Sequence, residues 1–197
     1  MLAHPVKGID EIFKRITQDN MTAEYKLDGE RCQVILDLNP NLYIHVLKTS
    51  NKIHLENNDS VTIFSRNGEN STEKFPDLIP VIQKIKNNSS GKVRNFILDA
   101  EVVAYDTENE IILPFQVLST RKRKDVESSK ISVDLFLYAF DMIYFNDESL
   151  VSESLSERRK KLNDILTHAD KKKISIVTSK DCLSSTEIQD FFEQSIV

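Results

Sequence analysis

Hydrophobic and polar positions change their period several times along the chain, and each change marks an element. Ile9, Ile12, Phe13 and Ile16 recur at helical spacing with Asp10 and Glu11 in the first turn, which predicts a short amphipathic helix between a turn at 5–8 and Asp19-Asn20. From residue 22 the period falls to two. Residues 22–28 and 31–38 read as strands with Gly29 between them, and Cys32, Val34, Leu36 and Leu38 alternate with Gln33, Ile35 and Asp37. Asn39-Pro40-Asn41 is a turn signal, 42–47 a third apolar run, and 48–60 a polar, Asn-rich loop. Residues 61–64 form another strand, which leads into Ser65-Arg66-Asn67-Gly68.

Leu78, Ile79, Ile82 and Ile85 make the apolar stripe of a helix near 77–86, followed by a turn at 87–91. Residues 96–105 are a strong strand, 111–115 its hairpin partner, and 134–144 the most hydrophobic strand of the chain. A helix over 156–166, a short strand at 174–177 and a last helix capped at Ser185 and reaching Gln194 complete the series. Strands and helices mix without regular βαβ spacing. That predicts one α+β domain over 1–197, with antiparallel sheets flanked by helices. Four glycines leave no Gly-rich phosphate loop or dinucleotide fingerprint, so a nucleotide would need another device.

Composition adds limits. The chain has 197 residues, 40% hydrophobic and 29% charged, enough for a core and a wetted surface. A net charge of −5 excludes a coat of positive charge but not local basic patches. Cys32 and Cys182 stand apart without metal-ligand spacing and the four histidines are scattered, which fits a reducing, intracellular compartment and no zinc site. No apolar run approaches the roughly 18 residues of a membrane span. The first five residues lack the regions of a signal peptide.

Candidate chemistry begins at Ala23-Glu24-Tyr25-Lys26-Leu27-Asp28-Gly29-Glu30-Arg31. In an extended strand Glu24, Lys26 and Asp28 share one face and Ala23, Tyr25 and Leu27 the other. Lys26 is a candidate nucleophile, although free lysine, with a pKa of about 10.4, must be desolvated or meet a cation to bare its lone pair. The same residues also fit a surface salt ladder. Asp99 and Glu101 lie on one face of the strand at 96–105, where two acids need cations, hydroxyls or metal. Arg66 follows a strand and offers a planar phosphate fork. Phe136, Tyr138 and Phe140 share a face in a strand that otherwise reads as core. Thr120-Arg121-Lys122-Arg123-Lys124 fits a solvated run, a weak nuclear-import signal or a DNA-backbone contact, and the clusters at 158–161 and 171–173 fit solvated faces.

Lys26-Leu27-Asp28-Gly29 with Arg31 resembles K-x-D-G-x-R, motif I of the covalent nucleotidyltransferases: ATP-dependent DNA ligases, RNA ligases and mRNA capping enzymes. Ser65-Arg66-Asn67 resembles motif Ia, Leu98-Asp99-Ala100-Glu101 motif III, and Leu137-Tyr138-Ala139-Phe140-Asp141 motif IIIa. Residues 114–124, P-F-Q-V-L-S-T-R-K-R-K, are similar to a segment of replicative eukaryotic ligases, and 1–5 resemble the start of their adenylation domain. The chain thus resembles the adenylation domain of ATP-dependent DNA ligases of the eukaryotic DNA ligase I type, a covalent nucleotidyltransferase (ATP-grasp-like) fold.

The resemblance implies that Lys26 forms a lysine-AMP intermediate from ATP with Mg²⁺, as a step in sealing nicked duplex DNA for replication, repair and recombination in the nucleus. It implies that Glu24 accepts from the adenine edge, Phe140 stacks on it and Glu101 holds the ribose. Arg31 and Arg66 would meet phosphates. Arg121 and Arg123 would be nucleic-acid or structural contacts. Two departures stand out. The segment at 39–60 is longer than the family's hairpin. Motifs IV and V, the OB-fold domain and an N-terminal DNA-binding domain are not in these 197 residues, so a partial adenylation domain, monomeric and impaired by itself, is expected. The rivals are an RNA ligase or capping-type enzyme and a non-catalytic nucleic-acid-binding module.

Overall fold

The computed structural model describes residues 5–9, 11–12, 21–37, 61–121 and 133–195. The chain divides into two compact units, 1–26 with 177–197 and 27–176, and the division falls between Lys26 and Leu27.

The larger unit is built on a seven-stranded sheet. Its central path runs β3 (Val61–Ser65), β2 (Glu30–Leu36), β4 (Phe96–Asp106), β6 (Leu135–Phe145) and β7 (Glu148–Ser149); β5 (Ile111–Ile112) pairs with β4, and β8 (Ile174–Ile176) with β6. All pairs are antiparallel except β6–β8. The α+β reading with antiparallel sheets and flanking helices therefore holds, with one parallel pair added through helix α3 (Leu155–Leu166). Phe96, Leu98, Ala100, Val102 and Ala104 of β4 point into the core. So do Leu78, Ile82 and Ile85 of α1 (Leu78–Asn88) and Leu162, Ile165 and Leu166 of α3.

The smaller unit pairs β1 (Met21–Glu24) with β9 (Ser179–Cys182), antiparallel. Helix α4 (Ser185–Gln194) follows, and its N-cap is Ser184, one residue before the expected position. Ser184 accepts from Glu187 N–H at 3.2 Å, while the Glu187 carboxylate accepts from Leu183 N–H at 2.6 Å, a reciprocal cap.

Other departures are local. The first strand stops at Glu24, not 28, because beyond it one backbone bond remains, Tyr25 N–H to Thr178 O at 3.0 Å. The hairpin partner of β4 shrinks to Ile111–Ile112, and Phe115–Ser119 turn into a short helix, α2, after Pro114. Of the helix expected near 9–16 only residues 9, 11 and 12 are described, and they are helical. The apolar run at 42–47 and the loop at 48–60 lie outside the described residues.

Arg121 follows α2 and is buried. Its guanidinium forms an ion pair with both carboxylate oxygens of Asp77 at the start of α1, donates to Lys74 O at 2.9 Å and Val133 O at 3.3 Å, and lies over the Phe75 ring. Of its two expected roles the structural one fits this geometry, since four of the five N–H donors of this buried fork are spent inside the fold. Arg121→Met leaves the Asp77 carboxylate without its cation and is expected to cost about 3 kcal/mol of stability, read from the urea midpoint.

Candidate nucleotide-binding face

The sheet face turned away from the core is set by strand parity. Arg31 and Gln33 of β2, Asp99 and Glu101 of β4, and Tyr138 of β6 lie in register, with Gln33 opposite Asp99, Arg31 opposite Glu101 and Glu101 opposite Tyr138. Asp99 is buried and bound by Arg31 Nη2 at 2.9 Å, and the Arg31 side chain is 45% exposed. One partner therefore remains in water while the other is taken out of it, which limits the strength of the pair but not its effect on side-chain direction. The Arg31 guanidinium carbon lies 5.4 Å from the centroid of the Phe140 ring, within cation–π range. Asp99 Oδ1 is buried without a hydrogen-bond partner among the described residues. These features place a cation, an aromatic ring and two acids on one patch.

Beneath the patch, Cys32 points into the core. Burial pushes its thiol well above the ordinary range, and the charges of Glu101, Asp99 and Glu30 push the same way, so it remains protonated and unreactive. Tyr138 is also pushed up by burial and then by Tyr105. Its phenol is a neutral hydrogen-bonding group there, not a base.

Gly29 is needed for a different reason from the turn that the sequence suggests. A Cβ there would lie 2.3 Å from Val102 O and 2.9 Å from both Glu101 Cγ and Val103 Cγ1. The chain entering β2 lies directly on the backbone of β4, and only a residue without a side chain fits.

Phe140 is set by an irregularity. Between β4 and β6 the register passes from Asp99–Asp141 to Ala100–Ala139, so Phe140 is an extra residue. Its carbonyl accepts from Arg159 Nε at 3.2 Å and Nη2 at 3.0 Å. Next to it, Asp141 is gripped by Arg158 through Nε at 2.7 Å and Nη2 at 2.9 Å. The charge pattern alone assigns 158–161 to a solvated face; for Arg158 and Arg159 the structure corrects that, since both reach into the sheet from the first turns of α3. The clue is in the parity of β6, whose core residues run Leu135, Leu137, Ala139 and then Met142.

Arg66 stands elsewhere, exposed on a tight turn after β3. Ser65 N–H donates to Glu69 O at 2.8 Å, Gly68 N–H to Ser65 O at 2.9 Å, and Gly68 supplies φ +79°. Arg123 lies outside the described residues. Glu24 and Lys26 belong to the smaller unit, both exposed, while Ala23 and Tyr25 are half-buried, as the alternation predicts. Tyr25 packs on Phe191 of α4 with ring centroids 5.0 Å apart. The larger unit therefore brings Arg31, Glu101 and Phe140 together with Asp99, a residue the sequence marks as an acid but not as Arg31's partner.

The profile of the ATP dependent DNA ligase domain matches residues 1–43 and 51–197. The chain belongs to that family. The unmatched residues 44–50 fall inside the segment read as longer than the family's hairpin. Over 196 residues this ligase-family chain is 40% identical to DNA ligase 1 of Drosophila melanogaster and 40% to DNA ligase 1 of Saccharomyces cerevisiae; each match covers all of the chain and 23% of the relative. It is 33% identical to DNA ligase 2 of Thermofilum pendens, of which it covers 28%. The chain thus spans about a quarter of the length of these relatives. Among solved structures, mycobacterial DNA ligase D with ATP and MES matches with a TM-score of 0.59 at 17% identity, over 89% of this chain and 45% of that one. The ligase domain of M. tuberculosis LigD matches at 0.60, with 18% identity over 89% and 44%. At those identities the likeness is one of fold.

In this ligase-family fold Gly29→Ala is expected to cost about 2 kcal/mol, because the new methyl clashes with the Val102 backbone and β2 must shift from β4. Urea denaturation checks it, and Gly68→Ala, at an exposed turn with open space but a positive φ, is expected to cost about 1 kcal/mol by strain alone.

Proposed function

We propose that the chain is the adenylation unit of an ATP-dependent DNA ligase, working on nicked duplex DNA in replication, repair and recombination. The neutral Lys26 amine attacks the α-phosphorus of ATP. An N–P bond forms, the α–β P–O bond breaks, pyrophosphate leaves, and the amine proton passes to solvent. The AMP then moves to the 5′-phosphate of a nick, and the 3′-hydroxyl displaces it as the strand closes. Each step is phosphoryl transfer, in which protein groups chiefly align reactants and offset charge.

The observation that carries this reading is the cation, ring and acid patch of the larger unit, in a chain of this family that also bears K-x-D-G-x-R. Phe140 offers a face to adenine, Glu101 and the buried Asp99 Oδ1 offer acceptors to ribose hydroxyls, and Arg31 offers a cation on the phosphate side. Glu24 accepts from the adenine edge. Arg66, exposed on a tight turn, suits a DNA phosphate, and Arg123, in the basic run of the sequence, is assigned the same kind of contact. Arg121 serves by fixing the base of that segment. Among the described residues no group of three or more His, Cys, Asp or Glu is placed to hold a metal ion. Mg²⁺ bound with ATP would offset phosphate charge. The place of action follows the substrate, nuclear DNA, with the chain acting as a monomer; no described helix is long and apolar enough to cross a membrane.

Incubation of the natural protein with α-labelled ATP and Mg²⁺ tests the assignment. Wild type is expected to retain covalent label and Lys26→Ala to lose it entirely. Label kept by Lys26→Ala contradicts the role of Lys26, and absence of adduct in wild type favours a nucleic-acid-binding module. Preference for GTP or for RNA ends points to the capping or RNA-ligase reading.

A further inference from the structure

The two arginines at the start of α3 lie outside the nucleotide-binding patch, yet Arg159 ends on the carbonyl of its aromatic residue and Arg158 on the carboxylate of the next residue. A bulged residue has lost its place in the hydrogen-bond ladder, so its direction is set by whatever holds its backbone. At Phe140 the holder is Arg159, whose Nε and Nη2 both reach the carbonyl oxygen. The following residue is held from the same helix turn by the two-bonded Arg158–Asp141 pair. That pair is tied further, since Asp141 Oδ1 accepts from Met142 N–H at 2.8 Å and Arg158 Nη1 donates to Glu153 O at 2.6 Å. Hydrogen bonding to Asp141 raises the Arg158 pKa, so Arg158 keeps its charge.

We propose that Arg159 and Arg158 are positioning residues for nucleotide recognition: they clamp the Phe140 bulge so that its ring stands ready to stack on the purine base of ATP. The inference rests on the proposed adenylation role and adds to it a specificity device outside the binding face. A planar guanidinium is required because one fork must meet one carbonyl with two parallel donors. Lysine, with a single point of charge, restores attraction but not direction. Arg159 touches neither base nor phosphate in this scheme. It acts on the nucleotide through Phe140, so its loss is felt in base binding and not in the phosphoryl-transfer step.

The test compares wild type, Arg159→Ala, Arg159→Lys, Phe140→Ala and the Phe140→Ala/Arg159→Ala double variant of the natural protein. ATP affinity is measured by calorimetry, and KM and kcat are measured for lysine adenylation. Arg159→Ala is expected to weaken ATP binding and raise KM by about tenfold with kcat within about twofold. Arg159→Lys is expected to fall between Arg159→Ala and wild type. In the Phe140→Ala background the second substitution is expected to add no further loss, because the ring it aims is gone. Unchanged ATP affinity in Arg159→Ala, a fall in kcat with KM unchanged, or full additivity with Phe140→Ala overturns the clamp while leaving the adenylation reading in place. Wild type that binds no ATP overturns both. Arg158→Lys, which keeps one contact to Asp141, is expected to show a milder change of the same kind; a variant that folds and binds as wild type removes Arg158 from the clamp.

Discussion

A carboxylate inside a sheet is tolerable only if something meets its charge. Asp99 is such a carboxylate, with buried Ile97 and Val103 in its own strand, and Arg31 is what meets it. Much of the larger unit's upper face depends on that pair. It holds the Arg31 guanidinium over the sheet, near the Phe140 ring and in register with Glu101. It also links β2, which enters the sheet through Gly29, to β4, whose backbone Gly29 nearly touches. The glycine and the ion pair solve one problem together, bringing the K-x-D-G-x-R segment close enough to β4 for its arginine to reach the acid.

The aromatic wall of the patch is held by the opposite device. Where Asp99 is fixed by a partner on the neighbouring strand, Phe140 is freed from the ladder by a bulge and then secured from a helix. Regular pairing would leave the side-chain direction at 140 to the pleat alone. The bulge breaks the parity of β6 so that Leu135, Leu137 and Ala139 face the core before it and Met142 after it. The helix that covers that core thereby also governs the residue on the other face. Packing and the proposed recognition are joined in α3, whose apolar residues fill the core and whose first arginines hold Asp141 and the Phe140 carbonyl.

The strands at 30–36, 61–65, 96–106 and 135–145 were legible because period-two patterning and β-branched residues agree there. So were the shared face of Asp99 and Glu101 and that of Phe136, Tyr138 and Phe140, which follow from parity within each strand. Three features were not legible, each for a physical reason. Gly29 looks like a turn residue, because sequence does not record how near another backbone passes. Arg158 and Arg159 look like solvated charge, because their partners, Asp141 and the Phe140 carbonyl, become available only through the bulge. Arg121 looks like one more cation in a basic run, because its acid, Asp77, is 44 residues earlier. The local pattern tells which residues share a surface; it does not tell which distant group will be spent on which charge.

The central claim is that the patch on β2, β4 and β6 receives the nucleotide. A crystal structure of the natural protein with bound ATP tests it most directly. The account predicts the adenine stacked on the Phe140 ring, a ribose hydroxyl within hydrogen-bond distance of Glu101, and the Arg31–Asp99 pair intact beside them. A nucleotide bound away from this face, with Phe140 and Glu101 untouched, would contradict it.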